Sequence, residues 1–102
     1  TLEIYRSTRA FPQEEKFGMV SQIRRSVSSI PTNIIEGFKR KSQKDFAHFL
    51  NIADASLEET KYHILLARDL EYVNQADYTR LSDLCDEVGR MLYGLQKKVA
   101  GG

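Results

Sequence analysis

Apolar side chains recur three and four positions apart along most of this chain, and nowhere do they alternate one by one between turn clusters. The first spacing lines one face of an α-helix, whereas a half-buried strand needs the second. The chain therefore reads as all-α. Val20, Ile23, Val27, Ile30, Ile34 and Phe38 form one stripe. Phe46, Leu50, Ala53, Leu57, Ile64 and Ala67 form another, and Leu81, Leu84, Val88, Leu92, Leu95 and Val99 a third.

Punctuation between the stripes sets the helix ends. A short helical piece spans Leu2 to about Arg9 and stops before Phe11-Pro12, because the residue preceding a proline avoids the helical region. Pro12 suits the opening turn of the second helix, where Glu14 and Glu15 meet the positive end of the dipole. That helix runs to about Arg40, and Pro31 inside it predicts a kink or a break into two helices. Ser42 and Asp45 read as an N-cap for a third helix reaching about Leu70, and Asn74 with Asp77 repeats the device for the fourth. Gly101-Gly102 is a frayed end. With connections this short, the helices pack as antiparallel neighbours in an up-down four-helix bundle.

At 102 residues the chain fits one core, so residues 1–102 are read as a single domain. No apolar run approaches the ~20 residues of a membrane span, and the amino-terminal residues lack a signal-peptide pattern. A cytoplasmic location is expected, with no membrane partner. Cys85 is the single cysteine, which suits a reduced compartment and a small core filler.

Two helices carry a second line of side chains. On the second helix, Gln22, Ser26, Ser29, Asn33, Glu36 and Arg40 are expected on the side opposite the apolar stripe. They are polar but short, unlike the Lys and Glu of a solvated face. On the third, Phe49, Ile52, Ser56, Glu59, His63, Leu66 and Leu70 stand beside the core stripe, and four of the seven are large and apolar. A helix apolar over so much of its circumference buries more than one side. The partner expected for Gln22, Ser26, Ser29, Asn33, Glu36, Phe49, Ile52, Ser56, Glu59, His63 and Leu66 is another copy of the chain in a closed, symmetric assembly. The alternative is that these residues widen the contact inside one bundle.

Catalytic material is sparse. Two histidines and one cysteine give little for a nucleophile with an oriented base. Gly18, Gly37, Gly89 and Gly94 are isolated, so no phosphate loop exists. No glutamate has a histidine three residues on, as di-iron bundles require. Glu59 with His63 reads as an interface pair rather than a metal site, and Asp45 with His48 as helix surface. Tyr5, Tyr62, Tyr72, Tyr78 and Tyr93 read as core-edge residues. No catalytic residue, metal, cofactor or small-molecule substrate is expected, and the chain is read as non-enzymatic.

The suggestive cluster is basic. Lys39, Arg40, Lys41 and Lys44 gather at the joint between the second and third helices, and Arg24 and Arg25 lie upstream. Net charge is +1, yet residues 1–50 hold nine Lys/Arg against five Asp/Glu. One reading is a solvated helix end whose cations suit the dipole. The other is a set of phosphate contacts that accumulates when copies assemble. With no RNP motif or recognition-helix pattern, such binding would be weakly sequence-specific.

The runs Thr8-Arg9-Ala10-Phe11-Pro12, Glu15 through Ser26 and Ser29-Ile30-Pro31-Thr32-Asn33-Ile34-Ile35-Glu36-Gly37 closely resemble the bacterial four helix bundle protein family, also called 23S rRNA intervening sequence proteins. Similarity continues through Asp45-Phe46, Phe49-Leu50, Ile52-Ala53, Ser56-Leu57, Glu59 and Leu66-Ala67-Arg68. The resemblance implies a four-helix protomer in a ring-like homopentamer, with no established catalytic activity. A related branch assists the reverse transcriptase of diversity-generating retroelements. Recurring polar positions of the family fall at Gln22, Arg24, Arg25, Asn33, Glu36, Arg40 and Ser42. The family's first helix normally begins about a dozen residues before Thr1, so this one is read as truncated, with part of the core uncovered. Ala55 stands where a glycine is usual. Glu71 replaces the glycine after the third helix, which argues against a left-handed helix end there.

The leading expectation is a homo-oligomeric interaction module that contacts RNA or a ribonucleoprotein. Its rival is a purely structural or protein-binding scaffold, such as an accessory subunit of a reverse transcriptase, without RNA contact.

Overall fold

The structure, a computed structural model, describes residues 1–13 and 18–101. Among them are four helices and no strand: α1 (Leu2–Thr8), α2 (Met19–Phe38), α3 (Gln43–Asp69) and α4 (Gln75–Gly101). Helix α3 is central, with α2 packed along one side and α4 along the other. The short α1 reaches across to both α2 and α4. The result is an elongated bundle of 45 × 24 × 18 Å.

Each boundary has a local cause. The Ser42 hydroxyl accepts from the Asp45 amide at 3.1 Å, and the Asn74 side-chain oxygen from the Asp77 amide at 2.7 Å. Both caps satisfy an amide that the first helical turn cannot. Helix α2 starts at Met19 with Gly18 at its N-cap, seven residues after Pro12, which therefore lies outside it. The expected placing of Glu14 and Glu15 in an opening turn lies outside the described residues.

Pro31 sits within an unbroken α2. Around it, side chains add bonds to carbonyls one turn back. Ser28 Oγ donates to the Arg24 carbonyl at 2.8 Å, Thr32 Oγ1 to that of Ser28 at 2.9 Å, and Asn33 Nδ2 to that of Ser29 at 2.8 Å. These bonds go to neighbouring carbonyls and not to that of Val27, the one that loses its ladder donor to Pro31.

The end of α3 overturns one expectation. Glu71 has a φ of 63°, squarely in the left-handed region. The Tyr72 amide donates to the Ala67 carbonyl at 2.8 Å and the Glu71 amide to that of Arg68 at 2.9 Å. These two bonds make a Schellman motif with glutamate at the position that glycine favours. The bonded carbonyls and the burial of Val73 just beyond hold a conformation that costs a non-glycine residue about 1–2 kcal/mol.

The main core joins Ile4, Ile23, Val27, Ile30, Leu50, Ala53, Leu57, Ile64, Leu81, Cys85 and Leu92 across all four helices. A smaller cluster of Phe11, Val20, Ala67 and Val73 closes one end. Phe38 and Leu84, expected in the core stripes, are corrected: they are 59% and 38% exposed. Phe38 is the last residue of α2, where α3 meets its ring with Phe46 alone among the described aromatic neighbours and leaves the rest open. The Cys85 thiol is buried as expected, and burial pushes its pKa up from the ordinary thiol value.

Candidate functional site

The second faces of α2 and α3 meet each other. At about 100° per residue, the line through Gln22, Ser26, Ser29 and Asn33 lies roughly a third of a turn from the apolar stripe, so it flanks that stripe rather than opposing it. This corrects the sequence reading. Ser26 and Ser56 are buried, and Thr60, which the spacing argument passed over, is fully so. Thr60 Oγ1 lies 2.9 Å from Ser26 Oγ and 2.8 Å from the Ser56 carbonyl, while Ser26 Oγ donates to the Ile23 carbonyl at 3.0 Å. Farther along, Ser56 Oγ bonds Ser29 Oγ at 2.8 Å, and Asn33 Nδ2 reaches the same oxygen at 2.8 Å. Small residues are there because two helices approach closely, and their hydroxyls bond across the seam.

The larger members of the two lines remain along the outside of that seam. Phe49, Ile52, His63, Leu66 and Glu36 are half-buried, and Gln22 and Glu59 are exposed. His63 differs from the buried hydroxyls of the seam: both of its ring nitrogens are shielded from solvent, and neither makes a hydrogen bond. Nε2 lies 3.5 Å from Glu59 Oε1, close enough for an ion pair once the ring is protonated. Buried polar groups are normally bonded, and an orphan costs about 1–3 kcal/mol.

Of the six candidate cations, three are engaged inside the chain. Arg24 donates from Nε to Thr8 Oγ1 at 2.9 Å and from Nη2 to the Tyr5 carbonyl at 3.1 Å, with its guanidinium 4.6 Å from the Tyr5 ring centre. It fastens α1 to α2. Arg40 bonds Glu36 Oε2 at 3.0 Å and lies 4.6 Å from the Phe49 ring centre. Lys39 shares the same carboxylate at 3.5 Å. Arg25, Lys41 and Lys44 are exposed, and none has an ion pair among the described residues. Arg25 stands about four helical turns before the joint, so the structure does not bring it to Lys41 and Lys44.

An open apolar groove of about 400 Å³ lies beside the amino end of α1, walled by Ile4, Val27, Ile30, Leu57, Leu81 and Val88. Glu3 and the Cys85 thiol are the ionisable side chains at its edge, so it lacks the convergent polar groups that orient a substrate. Among the described residues no three His, Cys, Asp or Glu side chains come together in a way that could hold a metal ion. Among the described residues no helix is long and apolar enough to cross a membrane.

Comparison with known proteins places the bundle. The family model described as 23S rRNA-intervening sequence protein matches residues 1–94. The chain belongs to that family. A solved structure from Bacteroides thetaiotaomicron, described as a protein with unknown function from the S23 ribosomal protein family, has the same fold with a TM-score of 0.82. It is 30% identical, and the match covers 94% of this chain and 87% of that one. No curated protein matches. As an intervening-sequence protein, the chain carries Arg40 and Ser42 at an ordered helix joint, and Arg24 and Asn33 inside its own hydrogen-bond network.

Proposed function

We propose that this 23S rRNA-intervening sequence protein is a non-enzymatic module that assembles with copies of itself, five in a ring, and contacts RNA or a ribonucleoprotein in the cytoplasm. The observation that carries it is the state of the α2–α3 joint. Lys41 and Lys44 are exposed and have no acidic partner among the described residues, next to Lys39 and Arg40, which share one carboxylate between them. Local charge there exceeds what the chain neutralises. Repeating the joint around a ring multiplies phosphate contacts that a single copy of net charge +1 cannot supply. Support for assembly comes from the outer seam of α3, where Phe49, Ile52 and Leu66 are half-covered and the His63 nitrogens make no hydrogen bond.

The engagement of Arg24 and Arg40 inside the chain favours the rival reading, a protein-binding scaffold such as an accessory subunit of a reverse transcriptase. A gel shift with RNA at low salt separates the two, run on protein whose assembly has been confirmed by light scattering. Binding that weakens steeply with added salt and is lost on replacing Lys39, Arg40, Lys41 and Lys44 by Gln supports RNA contact. Assembled protein that shifts no RNA at low salt supports the scaffold.

A further inference from the structure

The joint carries an aromatic ring as well as charge. Phe38 is 59% exposed, the most exposed of the described phenylalanines, and has no hydroxyl for water to reward. Four cations follow it within six positions, against Glu36 before it and Asp45 after. An exposed apolar ring followed closely by cations, two of them paired with Glu36 and two not paired among the described residues, suits a flat, apolar surface with anionic groups attached to it. It does not suit a purely apolar protein face, which would have to desolvate the lysines.

We infer that Phe38 is a stacking platform for an unpaired base of single-stranded RNA, with Lys41 and Lys44 holding the adjoining phosphates. The inference rests on the RNA reading above and narrows it to unpaired strands. Every base has a face to stack, so an exposed aromatic beside a basic track binds single strands with little sequence preference. A duplex keeps its bases stacked on each other and offers such a ring nothing.

The platform is fixed in place. The Phe38 ring centre lies 4.9 Å from that of Phe46 at a tilt of 56°. Beneath it, Gly37 is packed so closely that an added Cβ would meet the Phe46 ring at 3.0 Å and Phe49 Cβ at 3.3 Å. The Ser42 cap starts α3 four residues after Phe38, which keeps the connection short. A ring held this way gives up little conformational freedom when a base settles on it.

The test is fluorescence anisotropy at low salt with a dozen-nucleotide oligouridylate and with a duplex RNA of the same length, using the whole chain. Phe38→Ala should weaken oligouridylate binding by about tenfold and leave duplex binding unchanged. Phe38→Tyr should restore the single-strand affinity, and Lys41→Gln with Lys44→Gln should weaken both. Equal affinity of Phe38→Ala and the native protein for oligouridylate overturns the platform while leaving RNA contact standing. So does a loss that is equal for duplex and single strand, or a change in assembly mass on replacing Phe38, which makes it a contact between copies. Native protein that binds neither RNA overturns the underlying reading together with this one.

Discussion

Thr60 on α3 and Ser26 on α2 are hydrogen-bonded at 2.9 Å, and both are shut off from solvent by the seam they join. The Thr60 proton has two acceptors, Ser26 Oγ and the Ser56 carbonyl 2.8 Å away. Ser26→Ala should therefore cost little, since the carbonyl remains. Thr60→Val should cost about 1 kcal/mol, the net worth of a buried hydrogen bond, and the double variant less than the sum. Urea unfolding at one fixed protein concentration measures all three.

Glu71 is held in a left-handed conformation by two backbone bonds rather than by its own preference. Glu71→Gly should raise stability by roughly 1 kcal/mol, the relief of the left-handed strain less the greater freedom glycine has when unfolded. Thermal unfolding checks the sign. A loss of stability would mean that the glutamate side chain earns its place through an interaction of its own.

Arg24 ties α1 down with a fork of donors to Thr8 and Tyr5. Lysine keeps the charge but cannot reproduce the fork or the stacking on Tyr5. Arg24→Lys should speed hydrogen exchange at the amides of Tyr5 to Thr8 and leave those around Leu57 slow. Equal protection in both proteins would show that apolar burial of Ile4 holds α1 without help.

Burial raises the pKa of the Cys85 thiol above its ordinary value. The folded thiol thus stays protonated at a pH where the unfolded one has begun to ionise, and its contribution to stability is lost as pH climbs from the unfolded value through the folded one. Alkylation by iodoacetamide at mildly alkaline pH should be slower in the native protein than in urea. Native and unfolded rates that coincide would show the thiol open to solvent and free to ionise.

Much of the fold was legible because helix spacing reports burial directly. Leu50, Leu57, Ile64 and Leu92 are buried where their stripes put them, and Ser42 and Asn74 cap where the chain's polarity changes. The misreadings have several physical causes. Spacing gives a direction around a helix's own axis, not the identity of what lies there. Ser26 and Ser29 stood on a polar line that looked outward, but α3 approaches from that side with Thr60 and Ser56. Phe38 followed the stripe of α2 to its last residue, where contact with Phe46 of α3 leaves it 59% exposed. The left-handed Glu71 was hidden because the cost of its conformation is met by carbonyls of Ala67 and Arg68, which no single-residue preference contains. The bonds of Arg24 to α1 join residues sixteen and nineteen positions apart, a distance over which helix spacing says nothing.

Assembly is the claim on which the rest turns, since one copy with a net charge of +1 cannot hold RNA by charge alone. Sedimentation velocity on the purified chain, at micromolar concentration and physiological salt, tests it most directly. Self-association predicts a species several times the 11.7 kDa of a single chain, shifting toward smaller mass when Phe49, Ile52 and Leu66 are replaced together by Ser. One boundary at the single-chain mass over the whole concentration range would contradict it.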